Sequence, residues 1–332
     1  MRNLSAQIQG RRRARPATDV DRAALIEFLV LRGHTLGLIA DTQSAAAEAD
    51  SFVIDQPNSA HAHVARAHTL ATFHRFSDAN EHFERALSLG ADTDSVHSEQ
   101  AALLEAIGDY DRAEPLRRAA FTKNNGFAAT AGLAAHHAAR GDLETAESHY
   151  DRARELFRGL SPFPLATLDF HRGHLWLSAG EHERAAEWFT RSVRRLPEYL
   201  PAQGHLAAAE VCLGNTDSAI TRLRHAVTVS DDPEYAGQLA QLLIHSDSEE
   251  ARMLREGADA RYEQLLRSHP EAFADHAAAL WLSDNSDPER VLQLARLNYR
   301  IRPTQRAADL LRQAIDAVCP RAASERVERH AY

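Results

Sequence analysis

Lysine is almost missing from this chain. Lys123 is the only one among 38 basic residues, and every other base is arginine. The bias reads as GC-rich codon usage before it reads as function. Cysteine is nearly absent too. Cys212 and Cys319 stand more than a hundred residues apart and belong to no Cys-x-x-Cys pair. A disulfide framework or a cysteine-based zinc finger is thereby excluded, and Cys212 is expected as a small buried hydrophobe. Glycine and proline are sparse, at 15 and 12, and fall between apolar segments, as in helices joined by short turns. No run of 18 uncharged apolar residues exists. The nearest, residues 23–40, is interrupted by Glu27, Arg32 and His34 and has amphipathic helical spacing. No small-residue cleavage site follows the basic start, so a cytoplasmic protein with no membrane association is expected. The nucleophile elbow, the zinc-protease helix, the phosphate-binding loop and the dinucleotide-binding glycines are all missing, which weighs against an enzyme.

What is present favours helix. Ala, Leu, Arg and Glu abound, while β-branched and aromatic residues are few. Apolar content of 44% with 26% charge describes a foldable chain. The net charge is −9, yet the first fifteen residues hold five arginines and no acid. The remainder is therefore five charges more acidic than the whole, which argues against a nucleic-acid surface and favours a neutral or basic partner. Residues 1–22 are expected as a basic, disordered tail and residues 319–332 as a second tail.

A phrase recurs between them. Gly108-Asp109-Tyr110-Asp111-Arg112-Ala113 is its clearest copy. Residues 141–146, 180–185 and 214–219 repeat it, and His74-Arg75-Phe76-Ser77-Asp78-Ala79 is degenerate. Helical hairpins start near residues 26, 60, 94, 127, 166, 200, 234 and 272, mostly 33 or 34 apart. A period of that length marks a stack of supersecondary units, each burying its apolar face on its neighbours. Pro162 and Pro164 lengthen one interval. A stretched second helix over residues 249–268 lengthens another. Small residues share one slot (Gly33, Ala67, Ala101, Ala134, Gly173, Ala207) and its partner slot (Ala45, Ala79, Ala113, Ala146, Ala185, Ala219). A bulky slot follows, holding Phe83, Tyr150, Phe189 and Leu223.

This pattern resembles the tetratricopeptide repeat over roughly residues 26–303. The unit containing His171-Arg172-Gly173-His174-Leu175-Trp176, Ala185-Ala186-Glu187-Trp188-Phe189 and Pro197 carries the resemblance best. Most other units replace the glycine with alanine and lack the early aromatic. The stretch from His269 to Ala278 looks like a phrase met in bacterial repeat proteins, so a bacterial source is expected. The resemblance implies an all-α, right-handed superhelical solenoid of about eight antiparallel hairpins over residues 23–318, closed by a capping helix at 304–318. It also implies that first helices line a concave face that binds extended peptides, so the chain is expected to be a protein-interaction scaffold.

Counting nine residues into each hairpin puts His34, His68 and His174 on one concave line, in a chain with 19 histidines. Neighbouring slots add His61, Glu105, Phe170, Gln238, His245 and His276 as candidate groove residues. The His34, His61 and His68 rings would charge below about pH 6.5 and repel a cationic ligand. No cofactor is favoured. One alternative is a transition-metal site, possibly catalytic. His171 and His174 lie three apart on a helix, His205 stands at the same slot as His171 one repeat on, and Asp169 and Glu210 are nearby carboxylates. A second alternative is a regulatory sensor of a small molecule or signalling peptide. Asp231-Asp232-Pro233-Glu234 reads as ordinary helix-start chemistry.

Overall fold

The computed structural model describes residues 1–14, 18–284 and 287–318. Every regular element there is helical. After α1 (Arg2–Ala14), the helices pair in order: α2 (Asp19–Leu36) with α3 (Ile39–Asp55), α4 (Ala60–Thr72) with α5 (Phe76–Ser88), and α6 (Thr93–Ala106) with α7 (Tyr110–Lys123). Then come α8 (Phe127–Ala139) with α9 (Leu143–Leu156), α10 (Phe163–Ser178) with α11 (His182–Arg195), and α12 (Leu200–Cys212) with α13 (Thr216–Val229). Last are α14 (Pro233–Leu243) with α15 (Ser248–Ser268), α16 (Pro270–Leu282) with α17 (Pro288–Ile301), and α18 (Gln305–Val318), which packs on both members of the final pair.

The recurring phrase builds the turn inside each pair. Gly108, Gly141, Gly180 and Gly214 all sit at φ between 77° and 79°. Glycine enters that left-handed region without the clash a Cβ would bring. Asp109 and Asp142 then cap the second helices, accepting from the backbone N–H of Arg112 and Thr145. Both small slots are buried throughout, and the bulky slot residues Phe83, Tyr150, Phe189 and Leu223 are at most 2% exposed. The slots are complementary in space. A Cβ added to Gly173 would stand 2.5 Å from the Phe189 ring, so the two helices close only because that side chain is missing. Pro162 precedes the first turn of α10, and α15 runs 21 residues, which explains the two long intervals.

Ion pairs tie neighbouring hairpins. Asp169, 1% exposed, accepts from Arg154 at 3.3 Å and Arg195 at 2.6 Å. Arg172 spans Glu147 and Asp151 and lies 3.9 Å from the Trp188 ring. Trp176 is 7% exposed and belongs to the core beside Phe189.

Three expectations change. Residues 2–14 are no disordered tail: they form α1, whose Leu4 and Ile8 join the core with Ile26 and Leu29. An apolar pair four residues apart on a helix meets the next helix regardless of the arginines behind it. The first hairpin begins earlier than residue 26, because Thr18 accepts from the Asp21 N–H and starts α2 at Asp19. Cys212 is exposed at the end of α12. Residues 319–332 lie outside the described residues.

Candidate functional site

The superhelix touches itself. Residues separated by 191 to 197 positions, just under six hairpins, meet across a seam. The Asp231 carboxylate accepts from the backbone N–H of Ile39 at 2.5 Å and of Ala40 at 3.1 Å. These are the first donors of α3, whose own N-cap residue is Leu38 and offers no side-chain acceptor. Ser230 Oγ donates to Gly37 O at 2.6 Å. One repeat further, the Phe73 and His269 rings stack at 3.8 Å, and His74 Nδ1 donates to Glu271 O at 3.1 Å. His74 occupies the glycine slot of the recurring phrase and is the one non-glycine at positive φ among the described residues, at 57°. One repeat further again, Arg302 Nε donates to Ala106 O at 3.2 Å. His34 also reaches across, sharing a 3.1 Å hydrogen bond with the Tyr199 hydroxyl.

Two cavities hold the expected groove residues, and only the first follows from this closure. The first, about 370 Å³, lies in the seam between turns. His34, Ile39, Phe73 and His74 line it from the first turn, and His205, Asp232, Glu234, Tyr235, Phe273 and His276 from the second. Its charges are organised around His276, whose Nδ1 is 3.2 Å from Glu234 and whose Nε2 is 3.7 Å from Asp275. The Asp275 charge, with Glu234 and Asp232 behind it, raises His276 to about 10 against the pull of enclosure. Burial opposes ionisation of Glu234, but the His276 charge and hydrogen bond hold it low. Burial and the Glu234 charge push Asp232 up. Enclosure lowers His74 and His205 to about 4, so both rings are neutral near pH 7.

The second cavity, about 460 Å³, opens on the first helices α2, α4 and α6. Val64, Ala65, Phe83 and Val96 form its apolar surface. Glu27, Asp92 and Glu99 are its exposed carboxylates, with His61 and His68 between them, and His68 Nε2 lies 3.8 Å from Glu99. No lysine or arginine lines it.

The expected groove residues therefore separate. His61 and His68 share the second cavity, while His34 and His276 share the first. Gln238 stands behind the first, donating to Glu234 Oε1 at 2.9 Å. His174 faces His205 with centroids 4.1 Å apart, and the two rings pack around Phe170. Phe170 is itself 8% exposed and belongs to the core, so it offers little to a ligand. Glu105 offers no free carboxylate. Arg117 of the partner helix α7 holds both its oxygens, at 2.9 and 2.7 Å, and His136 of the next hairpin makes a third contact at 3.0 Å. His245 is exposed beyond the end of α14, away from both cavities. Of the carboxylates paired with the metal alternative, Asp169 is committed to two arginines and Glu210 to Arg222 at 2.7 Å. Among the described residues no group of three or more His, Cys, Asp or Glu is placed to hold a metal ion. The pH expectation for the concave histidines also changes. Enclosure lowers His34, one of the three, below its ordinary value.

Sequence reasoning missed His74, Tyr199, His205 and Asp231 as seam residues. One signal was visible: a histidine where the repeat wants glycine.

No helix among the described residues is long and apolar enough to cross a membrane. No protein-family model and no curated protein matches the chain. Solved structures do. A monomeric mutant of IFIT1 with m7Gppp-AAAA aligns at TM-score 0.58 and 12% identity over 94% of this chain and 75% of that one. The human IFIT1 dimer with m7Gppp-AAAA aligns at TM-score 0.55 and 13% identity over 95% and 76%. A tetratricopeptide repeat protein from Parabacteroides merdae aligns at TM-score 0.46 and 13% identity over 77% and 98%. At such identities the likeness concerns the fold, which the paired helices, the turn glycines and the small-residue slots establish independently. The chain is a tetratricopeptide-like helical-repeat protein.

Proposed function

We propose that the protein is a binding scaffold. Its cavity over α2, α4 and α6 takes an extended peptide that carries a basic side chain beside an apolar one. The observation that carries this reading is the composition of that cavity. Half-buried apolar side chains from Ala60, Val64 and Ala91 lie under three exposed carboxylates, with no lysine or arginine among the lining residues. An arginine side chain suits such a surface, since its stem covers apolar area while its head meets carboxylates. The helical scaffold is built before the ligand arrives, so the peptide alone loses conformational freedom. The acidic excess of the chain draws a basic partner from a distance.

The test is fluorescence anisotropy with a labelled peptide of alternating Leu and Arg, against the same peptide with Glu in place of Arg. The Arg peptide should bind and the Glu peptide should not. Glu27→Gln with Glu99→Gln should weaken binding about fivefold, since each exposed ionic contact contributes roughly 0.2–1 kcal/mol. Equal affinity for the two peptides, or an unaffected double variant, would remove this reading.

A further inference from the structure

The seam cavity is a separate place from the peptide groove, and its chemistry points elsewhere. It lies between two superhelical turns rather than within one, and its volume of about 370 Å³ falls in the range of small-molecule sites. Three aromatic side chains, Phe73, Tyr235 and Phe273, line it together with the Asp232 and Glu234 carboxylates and one imidazolium, His276, which leaves the lining one negative charge in excess. We propose that this cavity binds a small organic ammonium compound, an arylalkylamine in shape, through the Asp232 carboxylate and the aromatic walls.

The charge pattern carries the choice of a cation. Glu234 has a partner, because His276 lies 3.2 Å away and is protonated. The same His276 also serves Asp275 at 3.7 Å, so one imidazolium answers two carboxylates before Asp232 is counted. Asp232 forms no ion pair among the described residues. One of its oxygens accepts from the Glu234 N–H at 3.0 Å, as the N-cap of α14. Arg302 and Arg306 act on this cluster from outside the lining, and Arg302 is engaged with Ala106 O. Burial together with the Glu234 charge raises Asp232, as expected of a carboxylate short of a counterion. An ammonium group supplies that counterion, and aromatic faces add cation–π attraction. The neutral His74 and His205 rings neither repel it nor compete with it.

An occupant here touches both turns at once. Binding therefore adds to the contacts that hold the seam, and a ligand that stabilises only the closed superhelix raises its melting temperature by mass action.

The experiment compares tryptamine with tryptophol and indole-3-acetate, three probes of like shape that end in an ammonium, a hydroxyl and a carboxylate. Isothermal titration and thermal melting of the full chain are read with each. Tryptamine should bind and raise the melting temperature, and the other two should do neither. Asp232→Asn keeps a good N-cap and should weaken tryptamine about tenfold to a hundredfold, the value of one charge-assisted contact. Thr72 lines the cavity and is exposed, and its hydroxyl bonds only within α4, to His68 O. Thr72→Trp fills the space without touching the seam hydrogen bonds and should abolish binding. Three results would overturn the proposal: no binding of tryptamine at millimolar concentration, equal binding of all three probes, or tryptamine affinity unchanged in both variants. None of them bears on the peptide groove.

Discussion

Asp231→Ala tests whether the seam holds the superhelix closed. The substitution removes the acceptor for the Ile39 and Ala40 amides, at 2.5 and 3.1 Å. Leu38 cannot replace it, since no side-chain cap exists on that helix. Loss of an N-cap costs about 0.5–2 kcal/mol, and hydrogen bonds to a charged group contribute about 1.5–3 kcal/mol. Arg261 loses a partner 3.2 Å away, but its side chain is 30% exposed, so that loss adds at most about 1 kcal/mol. The first two ranges describe the same pair of bonds and overlap near about 2 kcal/mol, so with the ion pair the total is roughly 2–3 kcal/mol, with Asp231→Asn intermediate because one acceptor survives without charge. Urea denaturation measures the total. Amide hydrogen exchange at Ile39 and Ala40 measures the local effect, and both amides should exchange faster by the factor the lost stability predicts. Small-angle scattering should show a larger radius as the first turn swings from the second. The reasoning fails if Asp231→Ala stays within about 0.5 kcal/mol of the parent while both amides exchange at the parental rate.

The other predictions concern the histidines of the same seam. His74→Ala should destabilise by about 1–2 kcal/mol, because it keeps the left-handed backbone and loses the bond to Glu271 O and the seam contacts. His74→Gly should recover about 1 kcal/mol of that loss by removing the conformational cost, and an alanine variant at least as stable as the glycine variant would contradict this. Stability measured against pH should peak near 6.5. His74 and His205, lowered to about 4, bind protons more readily when unfolded, so stability falls as pH drops from 6.5 toward 4. Allowing for partial exposure, the loss is on the order of 1–2 kcal/mol each. His276, raised to about 10, binds its proton more tightly when folded, so its contribution is complete below 6.5 and lost as pH rises toward 10. His276→Gln should flatten that alkaline arm and leave the acid arm in place, which chemical denaturation at pH 5, 6.5 and 9 decides.

The repeat, its register and the role of each slot were legible because they are local. Spacing of 34 residues, a glycine after each first helix and the alternation of alanine with a bulky residue all act within one hairpin or between neighbours. The stretched α15 and the helix before the terminal cap were legible for the same reason. The groove was legible only in part. His61 and His68 do share a cavity, but Glu105 turned toward Arg117 and His136. A difference of two or three residues along a helix moves a side chain from the concave face to the seam between hairpins. Helix α1 was hidden by its own arginines, since charge counting outweighed the two apolar residues that decide its packing.

The seam lay beyond such reasoning, because contact between turns depends on the rotation accumulated over nearly six hairpins, and no single repeat encodes it. Yet each side of the seam carries a local irregularity that the other side answers. Leu38 begins α3 without a capping side chain, and Asp231 caps that helix from 192 residues away. Asp232 already caps α14, which leaves Asp231 only the partly exposed Arg261 as a partner within its own turn. His74 accepts a backbone conformation that its equivalents give to glycine, and its ring reaches Glu271 O. A helix start with no cap, a carboxylate that caps no helix of its own turn and a strained non-glycine are each poorly used in an open solenoid. They are compatible with one another only in a closed one. In this chain, departures from the repeat therefore mark where the array meets itself, and it is at this meeting that the cavity lined by Phe73, Tyr235, Phe273 and Asp232 is formed.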